Sequence, residues 1–389
     1  MTQIAGLVGF RPAPSVVHRV TAPPYDVIKP KSALAARLEA EPLSLAHVTV
    51  GEDPVAAFAR LRADGALVPD DEPSFYVYEQ SWGADGARER RLGVFVACEV
   101  TPYDQRRVVR HEKTFDDKVK GRVALANATG HTFGPVFCLV KAPLDPFLDA
   151  ITKDTTPTYD FETDLGGLND LHGIHSRVFR IPEASERGKA LVALLGPPAF
   201  YIADGHHRYH AALKNGLTHA LMYVTERARI QAYDRVVTGK VRFDEAKASL
   251  PGLTKAEAFG TPGKHQFAIY TKNGSYTLAA QKVPSDVVGR LDCSILEREL
   301  YPHLGLTHAM IVDPDHFDYY PESQLDQACA VVDRGDYELA IALHPVSIDE
   351  LMAVADAGLD DGNIVMPEKS TFFAPKILSG IFVYRHEKA

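Results

Sequence analysis

Residues 204–208 read Asp-Gly-His-His-Arg. An acid, a glycine, two imidazoles and a guanidinium in five positions form a set that can grip a phosphate or carboxylate. A guanidinium fork pairs with two oxygens, and imidazoles donate further hydrogen bonds. Upstream, Phe200, Tyr201, Ile202 and Ala203 read as the end of a buried strand bounded by Pro197 and Pro198. Downstream, Tyr209, Ala212 and Leu213 recur at helical spacing, and Gly216 is a stop signal. The cluster therefore falls at a strand-to-helix turn, where the unpaired N–H groups of a first helical turn favour anions. The plainer reading is that Asp204 caps the helix and the other side chains are solvated.

Three more polar stretches carry chemical residues. In RHEKTFDDKVKGR (110–122), Val108 and Val109 end an apolar run and Thr114 is a candidate N-cap, with Asp117 at the capping-box position. Lys118 and Arg122 lie four apart, hence on one helical face. His111, Glu112 and Lys113 precede that helix. Glu112 is a lone carboxylate among cations, suited to a general base or a metal ligand; a salt-bridged surface helix is the alternative. MPEKSTFFAPKILSG (366–380) sets Lys369, Ser370, Thr371 and Lys376 around two phenylalanines in a proline-bounded stretch. It reads as a loop closing over a polyanion, with Phe372 and Phe373 as packing or base-stacking groups. It lacks the G-x-x-x-x-G-K framework of a Walker A loop. TAPPYDVI (21–28) gives Tyr25 and Asp26 a rigid approach through two prolines, and suits a structural turn equally well. His206 and His210 have i,i+4 spacing without the acid of H-E-x-x-H, which argues against a zinc protease site. His172 and His175 have no identifiable partners in sequence. Neither G-x-S-x-G nor G-x-G-x-x-G behind a strand occurs.

Strand-like and helix-like runs alternate throughout, which predicts a mixed α/β (α+β) fold. Residues 75–82 and 90–100 read as two strands joined by a turn around Ala84, Asp85 and Gly86. Residues 135–140, 219–226 and 338–345 are further strands, and 184–196 is a helix ending on Gly196. Ser347 and Glu350 form the capping box of a helix running to Gly358. Residues 264–283 read as a hairpin turning on Asn273-Gly274. Soft boundaries divide the chain into 1–100 with PPYDV, 101–226 with HEKT and DGHHR, and 227–389 with the MPEKST stretch.

A chain of 389 residues with formal net charge −9 is a poor general nucleic-acid binder. No run approaches membrane-span length, and MTQIAGLVGFRPAP lacks the basic and apolar regions of a secretory signal. Cys98, Cys138, Cys293 and Cys329 are scattered without a CxxC pair, so a reduced, cytoplasmic setting is the expectation.

Together the early PPYDV, the HE-x-T with downstream Lys and Arg, the YIADGHHR turn and the M-P-x-K-S-T-x-F-x-P-K-x-x-SG stretch resemble domain-of-unknown-function family 1015. That likeness runs from about residue 10 to 385. Three positions depart from the family's pattern: Gly121 where an acid is usual, Glu368 where a proline is frequent, and Phe372 where a tryptophan is frequent. The DGHHR turn is also similar to that of ParB/sulfiredoxin-like proteins, particularly free-serine kinases. This implies a ParB/sulfiredoxin-like core around the turn and a phosphotransferase or phosphohydrolase acting on a small hydroxyl metabolite, serine or phosphoserine first. It further implies ATP or ADP as phosphate partner, with Mg2+ as an accompanying ion. Carried over, Asp204, Gly205, His206, His207 and Arg208 bind phosphate, and Glu112 is the base. Lys118, Arg122, Lys369 and Lys376 complete a positive lining, with Asp204 orienting a histidine or Mg2+. The competing class is a non-catalytic nucleotide-binding regulator of ParB type; homo-oligomerisation is open. The expectation for structure is that Glu112 meets the DGHHR turn and that residues 366–380 pack against it.

Overall fold

The computed structural model describes residues 3–83, 88–168, 170–311, 313 and 315–387. The expected turn at Ala84, Asp85 and Gly86 lies outside the described residues. By internal contacts the chain forms two compact units: one comprises residues 1–228 with 375–389, the other residues 229–374.

The first unit is built on one large mixed sheet. Its strands are Ile4–Ala5 (β1), Leu7–Pro12 (β2), Leu67–Trp82 (β3), Glu89–Glu99 (β4), Val108–Val109 (β5) and His131–Thr132 (β6). They continue with Val136–Val140 (β7), Tyr159–Glu162 (β8), His175–Pro182 (β9), Phe200–Asp204 (β10), His219–Thr225 (β11) and Val383–Arg385 (β12). Their lateral order is β5-β10-β7-β11-β4-β3-β2-β12-β6, with β1 on β4 and β9 joining β3 to β8. The sheet thus takes strands from both sides of residue 100. Most pairs are antiparallel, and β3 pairs with β4 over residues 76–82 and 89–95, the two apolar runs read as neighbouring strands.

Near-continuous apolar runs form the middle of this sheet because its strands are covered. Val94, Val96, Val136, Cys138, Ile202, Met222 and Val224 are all buried in one cluster. Leu148 and Ile151 of the helix Leu144–Asp154, and Leu191 and Leu195 of the helix Glu186–Leu195, belong to the same cluster.

Two pairs in the sheet are parallel, β7 with β11 and β5 with β10. The second pair positions the polar motifs. Phe200 lies opposite Val108 and Tyr201 opposite Val109, so both strands deliver their chains to one end of the sheet. The HEKT segment follows β5 and enters helix α1 (Asp116–Thr129); the DGHHR segment follows β10 and enters helix α2 (His206–Lys214). The helices pack together, and Lys214 Nζ lies 2.6 Å from Asp116 Oδ1.

The second unit carries a six-stranded antiparallel sheet, ordered 253–256, 274–279, 266–271, 339–343, 233–237 and 317–321. The hairpin closes with Thr271 opposite Gly274, at the Asn-Gly turn read from the sequence. Ser347 and Glu350 form the full capping box of the helix Ile348–Ala357. A separate short pair joins Arg229–Gln231 to Phe372–Ala374.

Helix α2 is tied down by a contact that periodicity does not show. The fully buried Tyr209 hydroxyl donates to Thr101 O at 2.8 Å and accepts from Thr101 N at 3.0 Å. Tyr209→Phe leaves both backbone groups without that partner. It should cost about 1–3 kcal/mol in urea unfolding, whereas an unchanged midpoint would show that water replaces the hydroxyl.

Candidate functional site

The ends of β5 and β10 place Glu112 beside the DGHHR turn. His206 Nδ1 lies 3.4 Å from Glu112 Oε2, and its ring is almost fully buried. The His111 and His206 rings meet edge to face, at 4.5 Å between centroids and 87° between planes. His111 N–H points at His206 Nε2 over a long 3.5 Å. His206 Nε2 is therefore the acceptor, which leaves the proton of the neutral ring on Nδ1, facing Glu112. His111 itself is fully buried, with Nε2 3.9 Å from Glu112 Oε1, beyond hydrogen-bond reach. The Glu112 side chain keeps 29% of its surface exposed, so a ligand can reach it.

His207 is fixed from the other helix. Its Nε2 accepts Phe115 N–H at 3.1 Å, and the two rings stack at 5.8 Å. This contact also moves the start of α1. Phe115 is the N-cap and helical structure begins at Asp116 without a side-chain cap. The reading of Thr114 as N-cap with Asp117 in a capping box is thus corrected: His207 takes the N–H next to the helix start.

Burial pushes all three histidines down. His111 and His207 fall to about 4, the latter helped by the Lys118 charge, and His206 lies well below the usual imidazole value. At neutral pH the turn therefore presents neutral imidazoles, which serve as hydrogen-bonding groups and not as cations.

Asp204 is not the helix cap; Gly205 occupies that position with φ +95° and no side-chain cap bond. The register of β10 against β7 shifts between Ile202 and Asp204, a local irregularity that re-aims the last strand residue. Asp204 Oδ2 meets Lys376 Nζ at 2.8 Å, and Oδ1 meets Arg208 Nη2 at 3.4 Å. Burial raises the Asp204 carboxyl, but Lys376 and Arg208 outweigh it and hold the group well below the usual carboxylate range. Arg208 also donates through Nη1 to Pro135 O. A Cβ on Gly205 would lie 3.0 Å from Arg208 Nε, so the glycine serves both the left-handed turn and the passage of the guanidinium.

The segment that brings Lys376 to the turn is held by residues outside the polar motifs. The Lys376 N–H donates to Asp170 Oδ2 at 3.2 Å, and its carbonyl accepts from Gln80 Nε2 at 3.0 Å. The preceding Pro375 carbonyl accepts from Arg91 Nη2 at 2.5 Å. Arg91 is buried, with its guanidinium 4.9 Å from the Phe137 ring centroid. Because both Asp204 oxygens face cations, the residue does not fit the expected role of orienting Mg2+. Among the described residues no group of three His, Cys, Asp or Glu side chains is placed to hold a metal ion.

The other expected site residues fall in different places. Lys113 and Lys118 are exposed, and Lys118 Nζ lies 5.2 Å from the Phe115 ring centroid. Arg122 stacks its guanidinium 3.9 Å over Tyr25, within a short turn that leaves Asp26 exposed. Lys369, Ser370 and Thr371 belong to the second unit. There Lys369 Nζ lies 5.0 Å from the Tyr233 ring, Ser370 Oγ donates to Pro367 O at 2.6 Å, and Thr371 is buried. Phe372 and Phe373 are buried in a strand of that unit, so they pack and are not presented for base stacking. His210 stacks on Tyr103, while His172 and His175 meet Asp164 and Asp160.

Two outcomes follow from this electrostatic arrangement. Lys376→Met leaves the largely buried Asp204 carboxylate with only the longer Arg208 contact, and should lower unfolding free energy by about 3 kcal/mol; a loss under about 0.5 kcal/mol would mean that Arg208 or solvent suffices. For the histidines, the folded pKa lies below the unfolded value of about 6.5. Unfolding therefore takes up protons, and stability is lost as pH falls from about 6.5 towards 4. His207→Gln should flatten that slope by up to about 1.4 kcal/mol per pH unit. Denaturant titrations across this range check it, and an unchanged slope would place the His207 titration elsewhere.

Comparison with known proteins adds the following. No curated protein sequence matches the chain. Among solved structures, a free serine kinase in complex with AMP is similar over 72% of this chain and 87% of its own, at 14% identity and TM-score 0.37. A conserved hypothetical protein from Pyrococcus furiosus is similar over 74% and 95%, at 14% identity and TM-score 0.37. SbnI with a C-terminal truncation, from Staphylococcus aureus, is similar over 73% and 85%, at 12% identity and TM-score 0.39. The family model described as a protein of unknown function, DUF1015, matches residues 4–294, three quarters of the sequence, and the chain belongs to that family.

Proposed function

We propose that the protein transfers a phosphoryl group between a nucleotide, ATP or ADP, and the hydroxyl of a small metabolite, with serine as the first candidate. The observation that carries this reading is the Glu112 carboxylate set 3.4 Å from the Nδ1 of a neutral, buried His206. An Nδ1–H donated to one oxygen orients the carboxylate without neutralising it. The partly exposed Glu112 is then suited to receive a proton from a bound hydroxyl.

In the forward step the hydroxyl oxygen attacks the terminal phosphorus of the nucleotide. A new O–P bond forms, the bond to the leaving nucleoside phosphate breaks, and Glu112 accepts the hydroxyl proton. The reverse step returns the phosphoryl group to the nucleotide. Such chemistry depends mainly on positioning and on charge placed around the transferring group. His207 supports this: with Nε2 accepting from Phe115, its Nδ1 carries the proton and is a donor. Lys118 is close enough for its charge to depress His207, and among the described residues it makes no ion pair. Asp204, Lys376 and Arg208 hold the turn in shape, and magnesium enters this reading with the nucleotide as part of the substrate.

Incubation with ATP or ADP and serine, followed by detection of phosphoserine and of the shortened nucleotide, tests the proposal. Glu112→Gln should keep the fold and nucleotide binding but reduce turnover by about 10²–10⁴-fold. Nucleotide binding without product from any small hydroxyl acceptor would instead favour the regulatory reading. Equal turnover by Glu112→Gln would remove Glu112 as the base.

A further inference from the structure

A cleft in the first unit lies beyond Arg208 and contains none of Glu112, Asp204, His206 or His207. It is lined by Tyr25, Arg122, Arg208, Gly134 and Ser379, among others, and encloses about 60 Å³. At about 15 Å³ for each water-sized position, that is room for about four, the scale of one tetrahedral oxyanion.

Charge, shape and unsatisfied polarity agree on what belongs there. Arg122 and Arg208 both line the cleft, and among the described residues Arg122 has no carboxylate in ion-pair reach. Its guanidinium lies 3.9 Å from the Tyr25 ring centroid and feels the field of Asp26 from farther away. Burial and the Arg208 charge pull the Arg122 guanidinium below its usual value, as expected for two like charges converging on one space. Gly134 supplies shape. Its backbone is not in the left-handed region, so no turn demands glycine, yet a Cβ there would lie 2.9 Å from Ser379 Oγ and 3.6 Å from Arg208 Nη1. The missing side chain lets the Ser379 hydroxyl and the Arg208 guanidinium approach the same stretch of backbone. Finally, Thr49 Oγ1, His131 Nε2 and Arg208 Nε belong to lining residues and are buried without a hydrogen-bond partner. Buried polar atoms are rarely left so, and a bound ion or water is a common reason.

We infer that this cleft is a binding site for a phosphate group, free or as a monoester, held between Arg122 and Arg208 with Ser379 at its back. The inference stands apart from the proposed phosphoryl transfer, since the proton-handling residues lie outside the cleft. The Arg122 fork, the unpartnered Nε of Arg208 and a hydroxyl, set on different sides of the cleft, suit a doubly charged tetrahedral anion better than a planar carboxylate.

Isothermal titration of the full chain with inorganic phosphate, and separately with phosphoserine, tests it. Saturable binding at millimolar concentration or below is expected, weakened at least tenfold by Arg122→Gln, which removes charge, and by Gly134→Ala, which displaces the Ser379 hydroxyl. Glu112→Gln should bind like the native protein, so loss of turnover and loss of phosphate binding are separable. Tighter binding of phosphoserine than of phosphate would identify the monoester as the ligand, and comparable binding the free anion. Melting curves accompany each variant; if Gly134→Ala does not fold, Arg122→Gln decides alone. No saturable binding of either anion, or equal binding by native protein and Arg122→Gln, would overturn the inference.

Discussion

Asp204 stands at the end of its strand with one carboxylate oxygen 2.8 Å from Lys376 and the other 3.4 Å from Arg208. Removing a carboxylate from water is costly unless its partners are close and well placed. Here one partner comes from the next helical turn and the other from 172 residues away. Satisfying this charge fixes the left-handed Gly205, the course of Arg208 towards Pro135 O and the position of the Pro375–Lys376 segment. The remaining features of the turn depend on that anchoring, because His206 and His207 are the first two residues of the helix that follows.

Neutrality of the histidines is the second constraint. With Asp204 already balanced by two cations, protonated imidazoles beside Arg208 would be uncompensated in a buried site. Burial therefore keeps them neutral, and each has one nitrogen facing a backbone N–H: His111 N–H for His206 and Phe115 N–H for His207. A neutral ring with one nitrogen accepting must carry its proton on the other. Tautomer, orientation of Glu112 and the start of α1 are thus consequences of one packing arrangement. Lys118 and Arg122, on the opposite helix, and the Nε of Arg208, which meets neither Asp204 nor Pro135, are cationic groups that a ligand can still use.

The strand-to-helix turn, the paired apolar strands, the Asn-Gly hairpin and the Ser347–Glu350 capping box were legible in the sequence because each is local. Periodicity, turn chemistry and cap spacing act over a few residues. The approach of Glu112 to His206 was legible through one further step, since two short strands each ending in a polar motif can lie parallel. What local pattern could not show was which partner wins. Asp204 carries an Asp-Gly signature that suits a cap, yet a lysine distant in sequence takes its oxygen. Thr114 has cap chemistry, but His207 takes the neighbouring N–H. Gln80, Arg91 and Asp170, which hold the Lys376 segment, lie in runs whose polar members read as ordinary strand or loop residues. Gly134 carries no motif signal, because what it provides is close approach to Ser379 and Arg208, which are distant in sequence.

The central claim is that a neutral His206 directs its Nδ1 proton at the Glu112 carboxylate. Long-range proton–nitrogen NMR of ring-labelled protein reads tautomer and charge directly. The account predicts a neutral His206 with its proton on Nδ1 and a bare Nε2, unchanged between about pH 7.5 and 5.5, since burial holds its pKa well below the usual value. A proton on Nε2, or a charged ring at neutral pH, would contradict it.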